Sequence, residues 1–411
     1  VAALGACEAG FANEAAPNGG FGDEGTASGD PSLAQGISIT SIEVNQGTEI
    51  TVAIGEEGLA PAQRSGALLA SRDALVRVRH EVADDWVARE IEARLILSLP
   101  DGGVRSLSEI EWIAGDSTDE LTGSFDFHLD TVDALTQPGV AYQVELWDLG
   151  EVGASADTAS EGVVLSPAVG FAELGFEAQA MVIEIVFVPV THDGLTPSLD
   201  EATLARFVDS IYEHNPVTQV RWSLREPAIF EGNLFELAQL LPFVSALREA
   251  DEAAPQVYYH ALIDVGAPSL AGVQGIAEIA GDQPEDAGAR VQATVMWSGD
   301  PDAAVETLTH ELGHGQGLRH VECPLLDADA TDPSYPNADG HLGADGYALR
   351  RRALFEAQSA YDYMSYCDPS FVSDWTWARS WARISTLTSW SEAGDGDGDG
   401  DGGGDGDSEG G

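Results

Sequence analysis

The sequence predicts an all-β sandwich domain followed by an α/β (α+β) domain, with a tether before the first and a tail after the second. Three observations point there. From about residue 36 to 170, apolar residues alternate with polar ones in short runs broken by Gly, Asp and Pro, the pattern of half-buried strands. From about residue 179, apolar runs of strand length alternate with apolar positions at helical spacing, the pattern of buried strands covered by helices. The two ends carry few large apolar side chains. At 411 residues the chain is long enough for two domains plus tails.

In chain order, an apolar hexapeptide, Val1 to Ala6, runs into Cys7. Leu4-Gly5-Ala6-Cys7 resembles a bacterial lipobox, in which a small residue precedes a cysteine that becomes lipidated. Residues 1–7 therefore read as the end of a lipoprotein signal segment, with Cys7 as the lipidation site and the charged start of the signal lying ahead of the given chain. Residues 8–35, rich in Gly, Ala, Glu and Asp, read as a flexible linker. The β-sandwich is expected over residues 36–170. Its strands are marked by Ile37, Ile39, Ile42 and Val44, then Leu75, Val76 and Val78, then Leu95, Leu97 and Leu99 ahead of the Asp101-Gly102 turn. Phe125, Phe127 and Leu129 follow, then Tyr142, Val144 and Leu146.

The second domain is expected over residues 179–392. Met181 to Val190 is a continuous apolar run, consistent with a buried strand. Ser198-Leu199-Asp200-Glu201 has capping-box spacing. Leu204, Phe207, Val208, Ile211 and Tyr212 then recur at helical spacing. Val217–Leu224, Val257–Val265 and Ala289–Trp297 read as further strands, with a helix at about 236–250. Trp377, Trp381 and Ile384 form an apolar stripe on a last helix. Residues 393–411 are Gly/Asp repeat without the ligand register of a calcium loop, and read as a disordered acidic tail.

Charge excludes two classes of partner. The chain has 70 acidic and 18 basic residues, a formal net charge of −52, and every basic residue is Arg. Such a surface repels phosphate backbones and anionic lipid, so no nucleic acid is expected, and a membrane only through a lipid anchor at Cys7. No run of about 20 apolar residues occurs to span a bilayer as a helix. Cys323 and Cys367 remain as an even pair in a chain that reads as exported, extracellular or in a bacterial cell envelope, and a disulfide between them is the economical reading.

The segment that carries chemistry is Thr309-His310-Glu311-Leu312-Gly313-His314-Gly315-Gln316-Gly317-Leu318-Arg319-His320. Its helix is expected to start at Asp300-Pro301, a cap residue followed by proline at the first helical position. His310 and His314, four apart, project from one helix face and can share one zinc ion. Val305, Leu308 and Leu312 fall on the opposite face. Gly315 and Gly317 allow the helix to stop, and His320 then supplies a third ligand from another direction. Three neutral imidazoles leave an open coordination position, the hallmark of a catalytic rather than a structural site. Glu311 is placed to reach a water rather than the metal, so it is the candidate general base.

The pattern His310-Glu311-x-x-His314-x-x-Gly317-x-x-His320 resembles that of the metzincin zinc metalloendopeptidases. The resemblance covers roughly residues 180–392 and implies a metzincin-like catalytic domain with Zn²⁺ as cofactor. It also implies a Met-turn, matched by Met364 in Tyr361-Asp362-Tyr363-Met364-Ser365-Tyr366-Cys367. In some branches of the family a tyrosine two places after that methionine helps hold the oxyanion, which makes Tyr366 a candidate catalytic residue. Cys323 would lie near the third ligand and Cys367 near Met364, so their sulfurs could meet. The bridge would close about 44 residues and contribute roughly 3–4 kcal/mol. Between His320 and Met364, Asp327, Asp329, Asp332, Asp339 and Asp345 are weighed as a Ca²⁺ site, although their spacing does not define one. The general layout is similar to secreted bacterial metzincins, including the mucin-cleaving ones.

The expected function is a secreted or surface-anchored zinc endopeptidase acting on extracellular proteins or glycoproteins. Two alternatives share its residues. One is a non-catalytic surface adhesion or glycan-binding lipoprotein with a vestigial protease domain; the other is an exopeptidase on the same scaffold.

Overall fold

The computed structural model describes residues 32–118, 123–149, 162–265, 273–296, 301–325 and 331–395. Cys7, nearly all of the predicted linker, Asp327, Asp329 and residues 396–411 lie outside them.

The first half consists of two antiparallel sheets around one apolar core. β1 (Ile37–Asn45), β2 (Glu49–Ile54), β3 (Ala74–Val82) and β6 (Phe125–Leu129) form one sheet in the order β2-β1-β3-β6. β4 (Arg89–Ser98), β5 (Val104–Ile113) and β7 (Ala141–Asp148) form the other, in the order β7-β4-β5. The apolar alternation in β1 skips a residue, Ile37 and Ile39 and then Ile42 and Val44. A register shift against β3 between Ile39 and Ser41 accounts for it, because a bulge returns the later residues to the core face. Ser32–Leu33 pairs with the end of β7, and Leu174 and Phe176 complete the same core. The sheet around β1 is buried on both faces, which is why Leu75 and Val76 are consecutive and both inaccessible. Residues 345–347 cover its second face: Asn45 Nδ2 and Glu49 N both donate to the Asp345 carbonyl, at 3.0 and 2.9 Å, and Tyr347 N donates to Gly47 O at 3.0 Å.

The second half is organised on a sheet of β8 (Val182–Thr191), β9 (Gln219–Leu224), β10 (Tyr258–Ile263), β11 (Gly275–Ala277) and β12 (Val291–Val295), in the order β9-β8-β10-β12-β11. Only β11, at the edge, runs antiparallel. α1 (Glu201–His214) and α3 (Pro301–Gly315) share one core with β8, and α2 (Leu240–Ala250) packs into another core with β10 and β12. The capping box expected at Ser198 is replaced by Asp200, whose side chain accepts from Thr203 N at 2.8 Å. In α4 (Asp374–Asp395), Trp377, Ile384 and Leu387 are buried and Trp381 partly so. No helix among the described residues is long and apolar enough to cross a membrane.

The expected fold class is corrected by this architecture. Strand predominates over helix, with three large sheets and three two-stranded ones against four α-helices among the described residues. The molecule is predominantly β and multi-sheet, not an all-β sandwich followed by an α/β (α+β) metzincin-like domain. The physical reason lies after Gly317. The resemblance carried the α/β class over the whole of residues 179–392, although the strand–helix alternation ends with α3. The described residues between α3 and α4 are rich in Asp, Pro and Gly and form only turns, one 3-10 turn and short ladders such as Gly346–Ala348 with Ala353–Phe355, because those residues interrupt helical hydrogen bonding.

The halves are joined by buried polar groups. The Arg72 guanidinium is fully buried and donates to Gln46 O in the first half and to Val217 O and Tyr212 O in the second, at 2.7–2.8 Å. It lies over the Tyr212 ring at 4.1 Å. Arg77, also fully buried, is within 3.4–3.5 Å of Glu49, Asp126 and Asp345, and Arg79 reaches Asp345 at 3.1 Å.

Candidate metal centre

The site is built on the C-terminal turns of α3. Leu308 and Leu312 are fully buried in the core shared with α1, so the face carrying His310 and His314 turns the other way. The helix ends in a Schellman arrangement: Leu318 N donates to Gly313 O at 3.1 Å and Gly317 N to His314 O at 2.8 Å. Gly317 adopts φ +90°, a conformation that favours glycine. The reversal brings His320 back toward the helix.

His310, His314 and His320 converge, with one ring nitrogen of each within 4.8 Å of the other two. His314 Nε2 and His320 Nε2 are 3.0 Å apart. His310 Nδ1 lies 2.9 Å from Tyr363 O and His314 Nδ1 2.9 Å from Leu318 O. A carbonyl only accepts, so both Nδ1 atoms carry the proton and both Nε2 atoms present a lone pair. His310 Nε2 is buried with no hydrogen-bond partner. Burial lowers the pKa of His310 to about 3, assisted by repulsion from His314, and that of His314 to about 4; burial also lowers that of His320. Three neutral, convergent imidazoles, two of them with the outer nitrogen fixed by a carbonyl, fit a zinc ion. They are the one cluster of three or more metal-competent side chains among the described residues.

Glu311 is buried beside this cluster, and burial pushes its carboxyl up to about 8. No described residue donates a hydrogen bond to it. The edge strand β11 passes against it: a Cβ on Gly275 would come within 2.6 Å of Glu311 Oε1. Met364 is fully buried under α3, and a Cβ on Gly313 would meet its Sδ at 2.3 Å. The Tyr366 hydroxyl stands 3.1 Å from His320 Nε2, on a half-exposed ring. Cys323 and Cys367 form a disulfide that ties the chain just after His320 to the chain just after Tyr366.

The calcium reading finds no cluster among the described residues. Asp345 is engaged by Arg77, Arg79 and the Ala357 amide, while Asp332 accepts from Ser334; Asp339 stands apart and exposed. Sequence reasoning missed the carbonyl partners of the histidines, which side-chain identity cannot reveal, and Gly275, whose role arises only from the approach of β11.

No protein-family model matches the chain, and no curated protein matches it. Among solved structures, 58% of the chain is similar to 41% of a protein assigned as a β-galactosidase from Bacteroides fragilis, at 13% identity and a TM-score of 0.15. Another 57% match covers 26% of a calcium-binding mutant of Bacteroides uniformis β-glucuronidase 2, at 9% identity and a TM-score of 0.16. The chain spans less than half the length of either, and likenesses this slight carry no argument about fold or site.

Proposed function

We propose that the protein is a zinc-dependent endopeptidase that hydrolyses extracellular proteins or glycoproteins. One observation carries the reading: three neutral imidazoles converge beside the buried Glu311 carboxyl, to which no described residue donates a hydrogen bond. The resemblance of the five-position motif to metzincin peptidases adds to it through the residues, not through the fold class. His310, His314 and His320 would hold Zn²⁺, which when bound acidifies a coordinated water and polarises a carbonyl.

The protein's own groups supply the rest. Glu311 takes a proton from the attacking water and returns it to the leaving amine; burial alone holds the carboxyl near 8, and the positive charge of a bound Zn²⁺ would favour the ionised form this exchange needs. Its buried position beside β11 shields the carboxyl from bulk solvent, and the lack of a competing donor among the described residues leaves both oxygens for that exchange. The Tyr366 hydroxyl donates to the oxygen that gains charge. The disulfide is consistent with an oxidising, extracellular or envelope setting, and lipidation at Cys7 would tether the chain there.

The test is digestion of a protein and of a peptide blocked at both ends. Wild type should cleave both, lose activity with a chelator and regain it with zinc. Glu311→Gln should retain zinc and lose about 10²–10⁴ in kcat. An exopeptidase would spare the blocked peptide, and a non-catalytic surface protein would spare both substrates.

A further inference from the structure

We infer that Asp362 is the positioning residue for the whole metal centre, acting through the turn Tyr363–Tyr366; the inference rests on the zinc reading of the three histidines. Asp362 is fully buried, and no arginine or histidine pairs with it among the described residues. A buried carboxylate without a counter-charge is costly to keep unless its oxygens are fully engaged. Here they are: Oδ1 accepts from Met364 N at 2.8 Å, and Oδ2 accepts from Ser373 N at 3.3 Å and from Ser373 Oγ at 2.5 Å. All three partners are donors, and a carboxylate is the side chain that offers only acceptors.

The turn so fixed reaches every part of the site. The Tyr363 carbonyl orients His310 through Nδ1. The Met364 side chain packs on Gly313, one residue before His314, and the Met364 carbonyl accepts from Val321 N, one residue after His320, at 3.0 Å. The Tyr366 hydroxyl meets His320 itself. Ser373, at the start of α4, anchors the carboxylate from the other side. Asp362 therefore couples the last helix of the chain to the placement of the three imidazoles, without touching any of them.

Asp362→Asn keeps the shape and turns one acceptor into a donor facing donors; Ser373→Ala removes the Oγ contact, keeps the backbone N–H contact, and is the milder variant. Zinc affinity is measured by competition with a chromophoric chelator, and site geometry by the visible absorption of the Co²⁺-loaded protein. Thermal unfolding of the metal-free protein is followed alongside. Asp362→Asn should weaken zinc binding 10–100-fold and shift the Co²⁺ bands, and Ser373→Ala should do so to a smaller degree, with an unfolding midpoint lowered only as far as loss of the α4 cap from Ser373 Oγ to Thr376 N requires. Should Asp362→Asn fail to fold, Ser373→Ala decides. Wild-type zinc affinity and unaltered Co²⁺ bands in the folded variants overturn the inference while leaving the zinc reading intact. A wild-type chain that takes up no zinc overturns both.

Discussion

Single residues decide whether the centre works. His320→Ala should release zinc measurably in a metal analysis, and unchanged metal content would mean that another side chain is the third ligand. Gly313→Val should cost about 1–3 kcal/mol, because its side chain would enter the space of Met364 Sδ; an unaltered denaturation midpoint would contradict that packing. His260 offers a pH test remote from the site. Its ring is fully buried, with Nε2 2.8 Å from Thr294 Oγ1, and burial lowers its pKa to about 3. The folded chain thus binds fewer protons there than the unfolded chain, whose histidine titrates near 6.5. The contribution is complete above about pH 6.5 and is lost as pH falls toward 3, amounting to about 2 kcal/mol by pH 5. Denaturant titrations at pH 7.5 and 5 should show a smaller acid loss in His260→Gln than in wild type; equal losses would exclude the assignment. At this scale the histidines, Glu311 and Met364 were legible because their spacing is fixed by one helix and its exit. Asp362 was not, because its meaning lies in donors 2 and 11 residues away that only the folded turn brings together.

Among the elements, the segment joining α3 to α4 depends on the Cys323–Cys367 bridge. Replacing both cysteines by serine opens a loop of 44 residues and should cost roughly 3–4 kcal/mol, together with weaker zinc binding, since His320 and Tyr366 flank the two sulfurs in sequence. Differential scanning calorimetry with and without zinc separates the two effects; equal midpoints for wild type and the double variant would refute the clamp. The helices and most of the long strands were readable from periodicity, β5 excepted. β11 was not, since Gly275-Ile276-Ala277 has neither alternation nor length; it exists because β12 offers it a free edge. The cap of α1 shifted by two residues because Asp200 is a better-placed acceptor for Thr203 N than the serine before it.

For the molecule as a whole, 70 acidic against 18 basic residues imply strong self-repulsion in the compact state. Raising NaCl from about 0.1 to 1 M shortens the screening length from about 10 to 3 Å and should raise Tm. A neutral osmolyte of matched osmolality should not reproduce the whole gain; if it does, repulsion is not the cause. The fold class was the part least legible at this scale. Local alternation marked five strands of the first half but not β2 or β5, and it could not report that the chain after α3 would lie across the outer face of the first sheet.

Arg72 carries a last consequence. Its guanidinium is sealed between the layers, with hydrogen bonds to carbonyls on both sides, so melting the second half would deprive the cation of two acceptors, and melting the first would deprive the Val217 and Tyr212 carbonyls of their donor. Residues 179–395 are thus no detachable cassette: expressed alone, they would present to water the Val217 and Tyr212 carbonyls and the Trp377 ring that Arg72 lies over at 5.2 Å, and fusing them to a foreign partner would trade away the very surface that keeps them shut.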